Sequence, residues 1–476
     1  MATTRRDFIK NTTLGVGGFM IVPRHVLGKG FVAPSDRLNL AAVGIGSKGA
    51  SDIALAHDKG ANNVVALCDV DWQYGLKTFE KFPKATRYKD FREMLDKEKS
   101  IDAVMVATPD HTHAIIAMAA MDLGKHVYVQ KPLAHNIFEA RTMTETARRN
   151  KIVTQMGNQG ASAPNIKTMI EWFDQGLVGK VHTVHVWTNR PVWPQGIPVP
   201  TDRPAVPADL DWDKWIGPAS PVGYSPAYHP FKWRGWWEFG TGALGDMGCH
   251  LMDKPFQVLG LGYPTEVECS VGSVFLKDWT PEYIPEGCPP SSVIQMKFPA
   301  TRRNKSAVTM TWSDGGLKPF RSEWMPADEF LGEPDNGSGV MIIGTKGVML
   351  CGVHARYARL YGKNGKKIIL PTPAELPDAI DAEFGHQTAW VNACKAGYDS
   401  PQHKALTSSF DTAGPLTEAV LMGNLAIRSY NLRTPRNQWS FDYPGRKKLL
   451  WDGPNMRITN YDDANQFVKR QYREGW

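Results

Sequence analysis

The chain has 476 residues, enough for two or three domains with real cores, and its 42% hydrophobic and 22% charged residues are those of an ordinary globular protein. The formal charge of +7 is no footprint for a polyanion: Lys and Arg are scattered, and Arg5, Arg6, Lys10 and Arg24 against Asp7 place +3 of it in the first 24 residues, so nucleic acid is not an expected partner. The six cysteines (Cys68, Cys249, Cys269, Cys288, Cys351, Cys394) form no C-x-x-C pair, which excludes a zinc ribbon or thioredoxin-like motif. Buried free thiols are expected, with a Cys269–Cys288 bridge left open for an oxidising compartment.

At the N-terminus, Arg5-Arg6-Asp7-Phe8-Ile9-Lys10 precedes a short, Gly-rich, weakly apolar run from Leu14 to Val22, closed by Pro23. This resembles a twin-arginine export signal of bacteria, so residues 1–33 are read as signal and linker and the destination as the periplasm. The route carries proteins already folded, which implies a tightly held cofactor. An ordinary basic helix is the rival reading. Nothing downstream approaches 18 consecutive apolar residues.

Residues 34–156 read as a nucleotide-binding domain. An apolar run from Leu38 to Val43 enters Gly44-Ile45-Gly46-Ser47-Lys48-Gly49, and helical composition follows from Ala50 to Lys59. Strand, glycine turn and helix are the context that G-x-G-x-x-G needs. Gly44 permits the sharp turn, Gly46 has no Cβ to obstruct a pyrophosphate, and Gly49 lets helix and strand approach. The helix N-terminus offers free N–H groups to phosphates. A second strand, Asn63 to Leu67, ends at Asp69, whose carboxylate suits ribose hydroxyls and repels a 2′-phosphate. NAD is therefore favoured over NADP. Alternation continues with helices at 72–82, 89–97, 114–123 and 137–149 and strands at 101–107, 126–129 and 152–156. This implies an α/β doubly wound parallel sheet of Rossmann type. The carboxyl ends of its strands carry Asp69, Thr108-Pro109-Asp110-His111-Thr112-His113, Gln130-Lys131-Pro132 and Gly157-Asn158-Gln159.

From residue 157 the pattern changes. Runs at 181–187, 267–275, 292–298, 307–312 and 340–343 follow one another without helices, so residues 157–433 are expected to form an α+β domain around a large, mainly antiparallel sheet. Seven of the 16 tryptophans, Trp187, Trp193, Trp212, Trp215, Trp233, Trp236 and Trp237, fall in an insertion over 187–240. Flat aromatic faces stack on sugar rings, and Arg190, His229, Lys232 and Arg234 offer donors to hydroxyls. A sugar cleft is one reading and a Trp-rich loop packed for its own stability the other. Just beyond, Asp246 and His250 stand one helical turn apart on one face. That spacing also suits a helix-surface ion pair, or two ligands of a metal with a third partner, although no metal is expected. Ser408 to Arg428 should form a closing helix. Residues 434–476 read as an extended tail or oligomer arm.

Taken together, Gly44-x-Gly46-x-x-Gly49, Ala107-Thr108-Pro109-x-x-x-His113, Gly124-Lys-His-Val-Tyr-Val-Gln130-Lys131-Pro132 and Gly245-Asp246-x-x-x-His250 resemble the Gfo/Idh/MocA oxidoreductases in order and spacing. The long insertion and the export signal are similar to those of exported Bacteroidetes-type members that act as glycoside 3-dehydrogenases. The resemblance implies NAD as cofactor, bound by Gly44, Ile45, Gly46, Ser47, Gly49, Asp69, Thr108, Pro109, His113, Gln130, Lys131 and Gln159. It implies Lys131, Asp246 and His250 as catalytic residues facing the nicotinamide. His250 is the expected base, since its ordinary pKa lies near neutrality, and Lys131 would stabilise alkoxide. The family's Glu-Lys-Pro is Gln130-Lys131-Pro132 here, which removes a charge beside Lys131. The substrate would be a sugar or glycoside, bound by Trp187, Arg190, His229, Arg234, Trp236 and Asp246. A redox partner or a second sugar would reoxidise the cofactor, and a homo-oligomer is expected. An NAD-dependent glycosidase of the family 109 type is the alternative enzyme, and a sugar-binding protein with a relic nucleotide site the non-catalytic one.

Overall fold

In the computed structural model, the described residues are 36–335, 337–368, 384–437 and 440–476. The twin-arginine segment lies outside them. The first domain alternates strand and helix: β1 (Asn39–Val43), α1 (Lys48–His57), β2 (Asn63–Cys68), α2 (Trp72–Lys81), β3 (Thr86–Tyr88), α3 (Phe91–Lys97), β4 (Ala103–Val106), α4 (His113–Asp122), β5 (His126–Val129), α5 (Ile137–Arg149) and β6 (Thr154–Met156). Among the described residues these strands form a six-stranded parallel sheet in the order β3-β2-β1-β4-β5-β6. The central strands are buried on both faces, which is why they read as continuous apolar runs. Carboxylate and amide caps start the helices: Asp71 accepts from the Tyr74 amide, Asp90 from Arg92 and Asn136 from Glu139. Strand β3 has no apolar run, being three residues on an edge, and sequence reading passes over it.

The second domain opens with α6 (Pro164–Asp174) and β7 (Val181–Trp187), then α7 (Trp212–Ile216) in the insertion, α8 (Gly242–Leu251) and α9 (Asp253–Leu259). There follow β8 (Glu266–Val271), β9 (Ser292–Phe298), β10 (Val308–Ser313), β11 (Gly339–Gly344), β12 (Gly347–Cys351) and β13 (Arg359–Gly362). Helices α10 (His386–Ala396) and α11 (Phe410–Tyr430), a hairpin β14–β15 (Thr434–Asn437, Ser440–Asp442), β16 (Leu449–Asp452) and β17 (Arg457–Ile458) complete it. The large sheet runs β13-β12-β11-β7-β10-β9-β8-β16-β17 among the described residues, antiparallel except where β7 meets β10.

Two late segments return to the first domain. Helix α10 brings Trp390, Val391 and Ala393 into one core with Leu40, Ile45, Ile53 and Tyr128, closing a face of the parallel sheet. Helix α11 packs on α5, α8 and β8 and so lies between the two sheets. The final segment is not an extended arm. Strand β16 extends the large sheet through β8, and Arg470 Nε (3.0 Å) and the Tyr472 hydroxyl (2.8 Å) both bind the buried Glu139 carboxylate on α5. The Trp-rich insertion has a core of its own, with Trp212 and Trp215 stacked 4.5 Å apart. All six cysteines are free, Cys269 and Cys288 included.

Candidate active site

A cleft of about 310 Å³ crosses the carboxyl edge of the parallel sheet and is roofed by the insertion and by α8. At its centre is the glycine turn. Gly44 has a φ of +76°, and a Cβ there would meet the Thr108 amide at 2.7 Å. The space beside Gly46 is filled by the Tyr74 ring, which a Cβ would strike at 2.2 Å, so the missing side chain makes room for this neighbour. Ser47 begins α1 without a side-chain cap, and Ser47 and Lys48 line the cleft while the Gly49 amide donates to the Gly46 carbonyl at 3.1 Å. Ile45, expected to bind the cofactor, does not line the cleft: its side chain is wholly buried in the core and its amide donates to Asp69.

At the β2 end, Asp69 lines the cleft while its two oxygens accept from the amides of Ile45 (2.8 Å) and Asp71 (3.0 Å). Burial raises its pKa to about 6 against the pull of those bonds. At the β4–β5 end, Thr108, Pro109, Gln130, Lys131 and Gln159 line the wall, and Thr108 Oγ1 and Gln159 Oε1 are buried without partners among the described residues. His113 does not reach the cleft. Its ring lies 2.8 Å from the carbonyls of both Pro132 and Thr108, bracing the two loops, and burial lowers its pKa to about 4. An uncapped helix start, a glycine turn, a ribose-side carboxylate and orphaned polar atoms along one groove suit a dinucleotide.

Lys131, Asp246 and His250 meet in this cleft. Lys131 Nζ donates to Asp246 Oδ1 at 2.7 Å and to its carbonyl at 2.9 Å, and Arg234 Nε donates to the same carboxylate oxygen at 3.2 Å. Burial opposes ionisation of Asp246, but Lys131 and Arg234 prevail and hold it below the usual carboxylate range. His250 does not keep a near-neutral pKa. Burial, then Lys131 and His354, push it well down, and its Nδ1 has no partner among the described residues. The imidazole is therefore neutral, with the His354 ring edge-on at 5.3 Å.

The expected substrate residues divide. Arg234 lines the cleft, its guanidinium 4.2 Å from the Trp233 ring. His229 also lines it, but at the β2 end, with Nε2 3.4 Å from Asp71 Oδ2 and its ring against Tyr74 and Trp215. Trp187 is wholly buried behind the large sheet with Met325, Leu331 and Met341, because it ends the central strand β7. Trp236 is buried in the insertion's core, donating to the Ala227 carbonyl at 3.1 Å, and Arg190 donates to its neighbour Asn189; neither lines the cleft. His111, expected among strand-end and surface histidines, is fully buried and joins the carbonyls of Trp215 and Phe239.

Sequence reading missed Asp110, which lines the cleft 4% exposed and accepts from Thr241 Oγ1 at 2.6 Å. Burial raises its pKa to about 7, against Thr241, Arg234 and Lys131. Its signal was a charged residue in the loop after a parallel strand. Trp215 and Trp233 of the Trp-rich insertion also stand in the wall, as do Lys214 and Trp476, which carried no motif.

A Rossmann cleft with a basic and acidic cluster at one end is the arrangement that nicotinamide-dependent oxidoreductases need. Residues 38–158 match the model described as oxidoreductase family, NAD-binding Rossmann fold, and residues 169–273 the oxidoreductase family, C-terminal alpha/beta domain. These two regions carry the two domains of the Gfo/Idh/MocA oxidoreductase family. It is 27% identical over 221 residues to a levoglucosan dehydrogenase of Pseudarthrobacter phenanthrenivorans, covering 45% of this chain and 46% of that one. It is 27% identical over 209 residues to a glycosyl hydrolase family 109 protein of Shewanella pealeana, covering 38% and 45%. The chain thus matches under half the length of these relatives. An inositol dehydrogenase homolog from Azotobacter vinelandii, solved with NADH and myo-inositol, shares the fold at a TM-score of 0.54 and 18% identity, covering 82% of this chain and 95% of that one.

Proposed function

We propose that the protein oxidises a ring hydroxyl of a sugar or glycoside, at C3, with NAD held and recycled in the cleft. The observation that carries this reading is the joining of Lys131, Asp246 and neutral His250 beside a dinucleotide groove. The groove lined by Gly44, Gly46, Ser47 and Asp69 would hold NAD, which would supply the hydride acceptor. Lys131 Nζ, now donating to Asp246, is placed to donate to the reacting hydroxyl and hold the oxygen as charge develops. His250 accepts the hydroxyl proton on a free ring nitrogen. Because burial and Lys131 oppose the imidazolium, that proton is readily returned. Asp246, fixed by two cations, orients Lys131 and accepts from substrate hydroxyls.

The match to family 109 glycosyl hydrolases supports a second reading, oxidation followed by elimination of the aglycone and return of the hydride. Incubating the purified protein with aryl and alkyl glucosides separates the two. Ketosugar without cleavage is the expected result, while aglycone over many turnovers with no net NADH establishes the glycosidase. Neither product from any glycoside overturns both. His250→Ala is expected to lower kcat roughly 10²–10⁴-fold with NAD binding retained, and full activity in this variant removes the assigned base.

The reading includes export to the periplasm, supported by Arg5-Arg6 and the weakly apolar run that follows. Arg5→Lys with Arg6→Lys should trap the protein in the cytoplasm on fractionation. Net turnover then needs a redox partner or a second sugar as acceptor. A homo-oligomer is supported by Trp279 and Phe320, 96% and 95% exposed, and light scattering measures it.

A further inference from the structure

The cleft has two ends, set by strand order. The reacting cluster lies at the β4–β5 end, the glycine turn lies over β1, and the base of a dinucleotide belongs at the β2–β3 end, past Asp69. The parallel sheet does not close that end by itself. Val70, Tyr74, Lys89, Asp90 and Phe91 line it from the first domain, and Lys214 and Trp215 of α7 and Trp476 come to it from far along the chain.

Residues 473–476 are pinned to both sides. Arg473 Nη1 binds Asp213 Oδ1 at 2.7 Å, Arg473 Nε donates to the Gly217 carbonyl, and the Arg473 amide donates to the Pro218 carbonyl at 3.2 Å, all on the insertion. On the sheet side, Arg92 Nη1 donates to the Gly475 carbonyl at 3.4 Å, and the Arg92 guanidinium lies over the Trp476 ring at 4.3 Å. The Arg473 guanidinium stands 5.3 Å from the same ring. The indole is thus oriented by two cations and held half-buried at the wall. Arg473 is mostly buried while Asp213 is exposed, so this pair fastens the segment where solvent can reach it.

We propose that Trp476, with Trp215 and Lys214, is a clasp over the adenosine end of the cofactor, and that this clasp sets how long the cofactor stays bound. The proposal rests on the NAD-dependent reading above and supplies the retention which that reading requires. A flat indole offers any purine a stacking face, and opening the clasp requires parting Arg473 from Asp213.

The test follows release of NADH from the preloaded full-length protein, chased with excess NAD and read by fluorescence. Trp476→Ala and Arg473→Ala should each speed release roughly tenfold, the scale of one lost base–aromatic stack, while Trp476→Phe stays near wild type. Affinity for ADP-ribose should fall in parallel, and affinity for nicotinamide mononucleotide should not change. Unaltered release in both alanine variants overturns the clasp. So does equal weakening of both half-ligands, which marks general loosening. A wild-type protein that binds no NADH in calorimetry overturns the dinucleotide reading itself, and the clasp with it. Should an alanine variant fail to fold, the salt dependence of release from wild type decides: a rate rising with ionic strength is expected, and a flat response overturns the Arg473–Asp213 fastening.

Discussion

Asp110 stands 4% exposed at the end of β4, its pKa raised to about 7 by burial. A carboxylate whose pKa is higher folded than unfolded stabilises the fold fully below its ordinary value of 3.8, and this contribution is lost as pH rises through 7. Asp110→Asn keeps an acceptor for Thr241 and has no proton to lose. The variant should therefore unfold later than wild type at pH 8, by on the order of 3 kcal/mol, with the gap closing toward pH 4; thermal melts across that range measure it. Gln130 teaches a related lesson. In sequence it looked like a lost charge beside Lys131, but its Nε2 donates to Asp52 Oδ2 at 2.7 Å in the buried interior. A Glu there would set two carboxylates against each other, so Gln is the residue this partner requires. Asp52 could not be seen as the reason, because it lies 78 residues earlier inside a helix with no motif.

At the scale of elements, local pattern was enough wherever one strand or helix answers to its own apolar spacing. Strand β5 and helix α5 occupy the residues expected of them, as do β7 and β9. What sequence could not show is which element an aromatic residue turns toward. Trp187 and Trp233 have the same chemistry, yet one ends a central strand behind the sheet and the other faces the cleft, a difference of topology rather than composition. The joint between α5 and α11 was equally hidden. Arg141 meets Glu418 through two bonds, Nε to Oε1 at 2.7 Å and Nη2 to Oε2 at 2.8 Å, with Glu418 2% exposed. Removing one member of a buried pair strands the other, so Glu418→Ala should cost about 3–5 kcal/mol. Urea denaturation should show a lower midpoint with an unchanged slope, and Glu418→Gln should lose less.

For the whole molecule, the family motifs made the two-domain plan legible, because a glycine turn and the ends of parallel strands must occur in fixed order. They carried nothing about how the halves are bound together. That information lies in α10, α11 and residues 449–476, which return to the first domain through ordinary polar and apolar contacts with no signature of their own.

The pairing of Asp52 with Gln387 has a consequence for synthesis. Asp52 is 1% exposed and its Oδ1 accepts from Gln387 Nε2 at 2.8 Å, across 335 residues of sequence. As the nascent chain leaves the ribosome, α1 and the sheet face behind it wait for α10 before that surface is covered. Such distant closure is slow, and it leaves apolar surface within reach of chaperones meanwhile. Holding the chain back from any onward step until its last third has been made is thus built into the order of its elements.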